Sequence, residues 1–206
     1  SPVLLYLASA GIGCIGIIDD DVVDISNLQR QIIHSSISIG DSKVDSVSNR
    51  LKELNPEIII ETYDYRLNVD NALEIISKFD LVVDGTDNFE TRYTINDACE
   101  ILNKTWVFGS IHRFDGQVSV FNHRGGPNYR DLFPQAPPPE LAPNCAEAGV
   151  LGVLPGLVGS IQANEALKII LDIGEPLSGK LLTIDALSMQ IRSLSFIKDP
   201  KRQKIT

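Results

Sequence analysis

The run Gly16-Ile-Ile-Asp-Asp-Asp-Val-Val-Asp-Ile-Ser-Asn-Leu-Gln-Arg-Gln31 changes character within a few residues. Ile15, Ile17 and Ile18 read as a buried strand that stops at the carboxylates Asp19, Asp20 and Asp21. In an open parallel sheet, ligands bind in the crevice beyond the strand carboxyl ends, and an acid there can accept from a ribose hydroxyl. Asn27 and Arg30 follow in a polar loop, and the planar fork of an arginine suits phosphate oxygens. Asp19, Asn27 and Arg30 are therefore candidates for gripping a nucleotide. A solvated acidic turn is the competing reading, and spacing alone does not separate the two.

The flanking pattern supplies the rest of the fold. Ser1 to Gly13 reads as a helix closed by glycines. Downstream, Val44, Val47, Leu51 and Leu54 recur at helical spacing, with Asp41 as the expected cap and Lys43 in the first turn, where backbone N–H groups favour an anion. Strands are expected over 58–62, 80–84, 105–111 and 117–122, and helices over 71–79 and 89–102. The strand at 80–84 runs into Gly85-Thr86-Asp87-Asn88, which repeats the opening design and puts Asp87 at the same sheet edge as Asp19. A lone carboxylate there suits Mg²⁺, which takes one or two protein carboxylates plus substrate phosphates. Five of the eleven prolines fall between Pro134 and Pro143, so residues 124–148 are expected to form a long crossover loop. A helix over 150–173, bent or broken near Pro155 and Gly159, and a hairpin around 186–188 close the chain. The alternation predicts one domain over 1–206: an α/β, doubly wound, Rossmann-like mixed sheet, mostly parallel, with an antiparallel C-terminal hairpin.

A net charge of −9 opposes binding to nucleic-acid phosphates or anionic membrane, and no apolar run is long enough for a transmembrane helix. Cys14, Cys99 and Cys145 are too few and too scattered for a disulfide framework, which points to a reducing compartment: the cytoplasm, or the plastid stroma in an alga. Cys14 and Cys99 read as inert core.

The string SNLQRQ after an acidic strand end, with Gly40, Lys43 and Val44 beyond it, Thr86-Asp-Asn88, Cys145-Ala-Glu-Ala-Gly149 and Gly159-Ser-Ile-Gln-Ala-Asn-Glu165 occur in one order. That order resembles the MoeB/ThiF/HesA family of ATP-dependent adenylyltransferases, relatives of the ubiquitin-activating enzymes, and most of all its molybdopterin-synthase branch. The resemblance implies a homodimer that uses ATP and Mg²⁺ to adenylate the C-terminal glycine of a small ubiquitin-like sulfur-carrier protein. It assigns Asp19, Ser26, Asn27, Leu28, Gln29, Arg30, Lys43, Asp87 and Asn88 to the nucleotide, with Asp87 on Mg²⁺. Arg30, Lys43 and Asp87 become catalytic, and Cys145 takes up an acyl or sulfur group. It also implies a strand and glycine-rich loop ahead of Ser1. Relatives often hold a zinc ion with two Cys-x-x-Cys pairs; here Asn128-Tyr-Arg-Asp131 stands in place of the first, and the tail from Pro200 has no cysteine, so no zinc is expected. A thiamine-pathway carrier, a tRNA-borne carboxylate and a catalytically silent binding subunit are the rival readings. A plain dinucleotide-binding domain fits worst, because no G-x-G-x-x-G is present.

Overall fold

The computed structural model describes residues 1–137 and 149–205. Pro2–Ser9 forms helix α1, with the proline in the first turn, where no amide hydrogen is needed, and Gly11 at φ +79° turns the chain away. Strand β1 (Cys14–Ile18), helix α2 (Lys43–Leu54), strand β2 (Ile59–Tyr63), helix α3 (Ala72–Ser77) and strand β3 (Leu81–Val83) alternate as expected. Helix α4 (Phe89–Leu102) begins where the Asn88 Oδ1 accepts the Thr91 N–H at 2.9 Å and ends on Asn103 at φ +52°. Strands β4 (Thr105–His112) and β5 (Asp115–Phe121), helices α5 (Tyr129–Leu132) and α6 (Leu154–Leu171), and strands β6 (Lys180–Asp185) and β7 (Gln190–Ser195) complete the chain.

Two local expectations are corrected. α2 is preceded by Ser42, not capped by Asp41, and no side chain bonds its first amides. α6 is not interrupted: Pro155 sits in its first turn, so it starts the helix, and the helix runs on through Gly159.

β1 and β2 pair in parallel as one two-stranded sheet, and β3-β4-β5-β6-β7 form a second. The α/β class with an antiparallel C-terminal pair stands, but the antiparallel part is larger than expected. Only β3 and β4 are parallel in the larger sheet. Arg113 and Phe114 alone join β4 to β5, and so short a link permits only an antiparallel return. The two sheets share a core in place of shared hydrogen bonds: Ile15 and Ile17 of β1 pack in one cluster with Val107 of β4, Val120 of β5, and Ala163 and Ala166 of α6. On the other face Trp106, Phe108 and Phe121 pack against α3, α4 and α5. Helices therefore cover both faces. The sole tryptophan, Trp106, is fully buried with ring centroids of Phe108, Phe121 and Tyr129 5.6, 5.3 and 5.4 Å away, and its indole N–H has no hydrogen-bond partner among the described residues.

The tail is tied down by charge. Arg202 donates from Nε to Asp131 Oδ1 at 2.8 Å and from Nη1 and Nη2 to the two Glu100 carboxylate oxygens at 2.9 and 3.0 Å. Asn128 adds a bond from Nδ2 to Glu100 Oε2 at 2.9 Å, while its backbone N–H donates to Asp131 Oδ2 at 2.8 Å. Asn128 and Asp131 stand at the ends of the Asn128-Tyr-Arg-Asp131 segment, and here they cap α5.

Candidate functional site

β1 delivers its carboxylates to one lysine. The Lys43 ammonium lies 2.7 Å from Asp21 Oδ2 and 3.7 Å from Asp19 Oδ1, and the Lys43 N–H donates to the Asp21 carbonyl at 3.0 Å. Lys43 is buried, whereas the Asp19 and Asp21 side chains remain 40% and 69% exposed. Asp19 accepts the Asp21 N–H at 3.0 Å, which fixes its rotamer. Burial holds the Asp19 carboxyl above the usual carboxylate range, helped by the charges of Asp21 and Asp20 and opposed by the Asp21 N–H and Lys43. The nearest partner of Lys43 is thus Asp21, a residue the sequence reading left out of the site. His34 and Ser46 are bonded Nδ1 to Oγ at 2.8 Å, and Ser46 lies in the first turn of α2, three residues past Lys43.

The Ser26-Asn-Leu-Gln-Arg30 stretch begins in a short 3₁₀ element, Ile25–Asn27, with its own cap, and continues as a turn. Asp24 accepts the Ser26 N–H at 2.8 Å, and Asn27 Oδ1 accepts the Asp24 N–H at 3.1 Å. The Asn27 carbonyl oxygen is therefore committed to local structure, and its amide nitrogen is the end left to donate. Arg30 folds back to the Ser26 carbonyl through Nη1 at 3.1 Å, which occupies one of its five N–H donors. Leu28 is half-buried and Gln29 exposed. A Cβ on Gly152 would collide with the Gln29 carbonyl oxygen, so Gly152 lies directly on this turn.

The second strand end is better fixed. Asp84, 3% exposed, accepts the Thr86 N–H and the Thr86 hydroxyl at Oδ1, both at 2.7 Å. Arg92 donates from Nη2 to the Thr86 carbonyl at 2.7 Å, its guanidinium lying over the rings of Phe89 and Phe108. Gln162 of α6 donates to the Asp84 carbonyl at 2.8 Å; it has room because Gly109 faces it without a Cβ. Burial pushes the Asp84 carboxyl up, while the Arg92 charge and the Thr86 bonds pull it down. Asp87 is exposed and makes no hydrogen bond or ion pair with another described residue; Asn88 is spent on capping α4.

Among the described residues no group of three or more His, Cys, Asp or Glu side chains could enclose a metal. A single free carboxylate such as Asp87 fits a cation held mainly by substrate phosphates and water, as Mg²⁺ is.

Cys145 lies outside the described residues. Cys99 is core as expected, and burial pushes its thiol up to about 12. Cys14 is not core: β1 alternates, Ile15 and Ile17 face inward, and Cys14 is exposed with its sulfur 3.9 Å from Glu61 Oε1.

A model of the ThiF family matches residues 1–204. The chain is 50% identical over 205 residues to the sulfur carrier protein adenylyltransferase of Thermus thermophilus, covering 97% of this chain and 76% of that protein. It is 50% identical over 210 residues to the probable adenylyltransferase/sulfurtransferase MoeZ of Mycobacterium tuberculosis, over 100% of this chain; it spans about half, 54%, of that relative's length. Among solved structures, Escherichia coli MccB with ATP superposes with a TM-score of 0.87 at 20% identity, over 100% of this chain and 63% of that one, a likeness of fold.

Proposed function

The chain belongs to the ThiF family, and from that premise we propose that it adenylates the C-terminal glycine carboxylate of a small ubiquitin-like sulfur-carrier protein with ATP. A carboxylate oxygen attacks the α-phosphorus, the bond from that phosphorus to the α,β-bridging oxygen breaks, and pyrophosphate leaves with the electron pair. The observation that carries this reading is the Lys43 ammonium, buried at the start of α2 and shared between two partly exposed strand-end carboxylates. Such a cation, held in place before the substrate arrives, meets shifting phosphate charge without reorganising. Asp19 is assigned to the ribose hydroxyls. The Asn27 amide nitrogen and the remaining Arg30 donors are assigned to phosphate oxygens.

Asp87 is the residue that would hold Mg²⁺ with the substrate phosphates, where the ion supplies neutralisation of phosphate charge. Cys145 serves a later acyl or sulfur transfer. The small subunit of molybdopterin synthase is the proposed carrier, and the assembly a homodimer. Support for a sulfur carrier comes from the named activity of the Thermus relative, and for the molybdopterin branch from the sequence resemblance.

ATP–pyrophosphate exchange in the full-length protein tests this. Exchange should appear only with a carrier that retains its terminal glycine, and Cys145→Ser should leave it unchanged. Exchange with a thiamine-pathway carrier alone would reassign the substrate; no exchange with either carrier would end the reading.

A further inference from the structure

Both short bonds of the Asp84 side chain end on Thr86, and Arg92, which also engages the Tyr129 hydroxyl, reaches the same residue. The Thr86 N–H, hydroxyl and carbonyl are each engaged at 2.7 Å. By contrast, Asp84 Oδ2 and Arg92 Nε face each other at 3.6 Å, and neither has a hydrogen-bond partner among the described residues. A buried pair arranged for its own stability would close that gap first, because unmade bonds on buried charges are costly. This pair leaves it open and grips Thr86 instead. Starting α4 does not require the grip, since Asn88 already caps the helix. From behind, Gln162 holds the Asp84 carbonyl, so the anchor itself is fixed to α6.

We propose that Asp84 and Arg92 are positioning residues for Asp87: by clamping Thr86 through all three of its polar groups, they present the Asp87 carboxylate to a magnesium-bound triphosphate. The proposal rests on the role given to Asp87 above. Gly85 lies in open space and Asp87 is exposed, so half-buried Thr86 is the point at which this turn is held. A small misplacement of a ligand-holding group is enough to lose much of its effect.

Arg92→Lys, Asp84→Asn and Thr86→Val in the full-length protein test it. Thr86→Val removes the hydroxyl bond alone and keeps the fold if the larger changes do not. Amide hydrogen exchange at position 86, whose N–H donates to Asp84, should quicken at least about fivefold in each variant when measured without ligand, the scale of one lost hydrogen bond. Mn²⁺ binding, followed by electron paramagnetic resonance in the presence of a non-hydrolysable ATP analogue, should weaken by roughly five- to thirtyfold on the same scale. Pyrophosphate exchange at saturating Mg²⁺ should fall by less than in Asp87→Ala, since the carboxylate itself remains. Unchanged amide protection, or unchanged Mn²⁺ affinity despite lost protection, would overturn the proposal. Absence of carrier-dependent exchange in the parent protein would instead remove the adenylation reading, because the amide and Mn²⁺ measurements need no carrier.

Discussion

At the end of β1 one lysine faces two carboxylates whose side chains are 40% and 69% exposed; beneath α4 one arginine faces two that are 5% and 0% exposed. The chemistry is the same and the outcome differs. Exposed carboxylates keep their water, so Lys43 can exchange one of them for a phosphate oxygen at small cost. Glu100 and Asp131 have no water to fall back on, and the Arg202 fork, with Asn128, satisfies them through short bonds. Charge left partly solvated is available for binding, and charge sealed off is structural.

The largest effect should come from breaking the sealed cluster. Arg202→Met leaves two buried carboxylates unpaired and should lower unfolding free energy by about 3 to 5 kcal/mol, the scale for removing one partner of a buried pair. Urea unfolding measures it, and adding Glu100→Gln with Asp131→Asn should recover part of the loss. Recovery of none would mean that the cluster is not the source. The open cluster should behave in the reverse way: Lys43→Ala should lower carrier-dependent pyrophosphate exchange by roughly 10²- to 10³-fold, as deletion of one preorganised donor does, and shift stability by less than about 1 kcal/mol. Asp87→Ala should be similarly damaging and should raise the Mg²⁺ requirement.

A smaller effect separates the clusters by pH. The folded Asp19 carboxyl titrates above its unfolded value because burial disfavours its charge. The folded state therefore holds that proton more tightly, and the contribution to stability is full below the unfolded value and lost as pH rises through the raised one. Asp19→Asn should flatten this part of the stability profile just above the ordinary carboxylate range. An unchanged profile would assign the slope to another group. The smallest expected effect is that of a chelator: with the Arg202 fork doing the tying, EDTA should move the melting temperature by less than about 1 °C, since a tail held by an ion pair has no metal to give up. A larger drop would mean that a metal, not the arginine, secures the tail.

These contrasts mark what the sequence could show. The bounds of α4 were legible to the residue, but its cap was not: Asp87 was the alternative cap, and Asn88, assigned to the nucleotide, is the residue that caps it. The strands were legible as apolar runs. Pro155 misled because proline breaks a helix interior yet suits a first turn, and position decides which. Cys14 misled because membership of a strand does not tell which face a residue takes until its partners are known. At the site, Asp19 and Lys43 came from strand-end and helix-start patterns. Arg92 and Gln162 left no local signal: Gln162 meets a carbonyl 78 positions away in the chain, a contact created only when α6 crosses the sheet.

Trp106 gives this molecule an optical property. As the sole tryptophan, dry, ringed by Phe108, Phe121 and Tyr129 and with no hydrogen bond to its indole among the described residues, it should emit at the blue end of the indole range. Tyr129 opens α5, the same short helix that Asp131 ties to Arg202, so water admitted when the tail lets go reaches the chromophore early. Intrinsic fluorescence thus reads the state of the tail directly, without any attached dye, and a red shift in Arg202→Met that precedes the loss of far-ultraviolet circular dichroism would time its release.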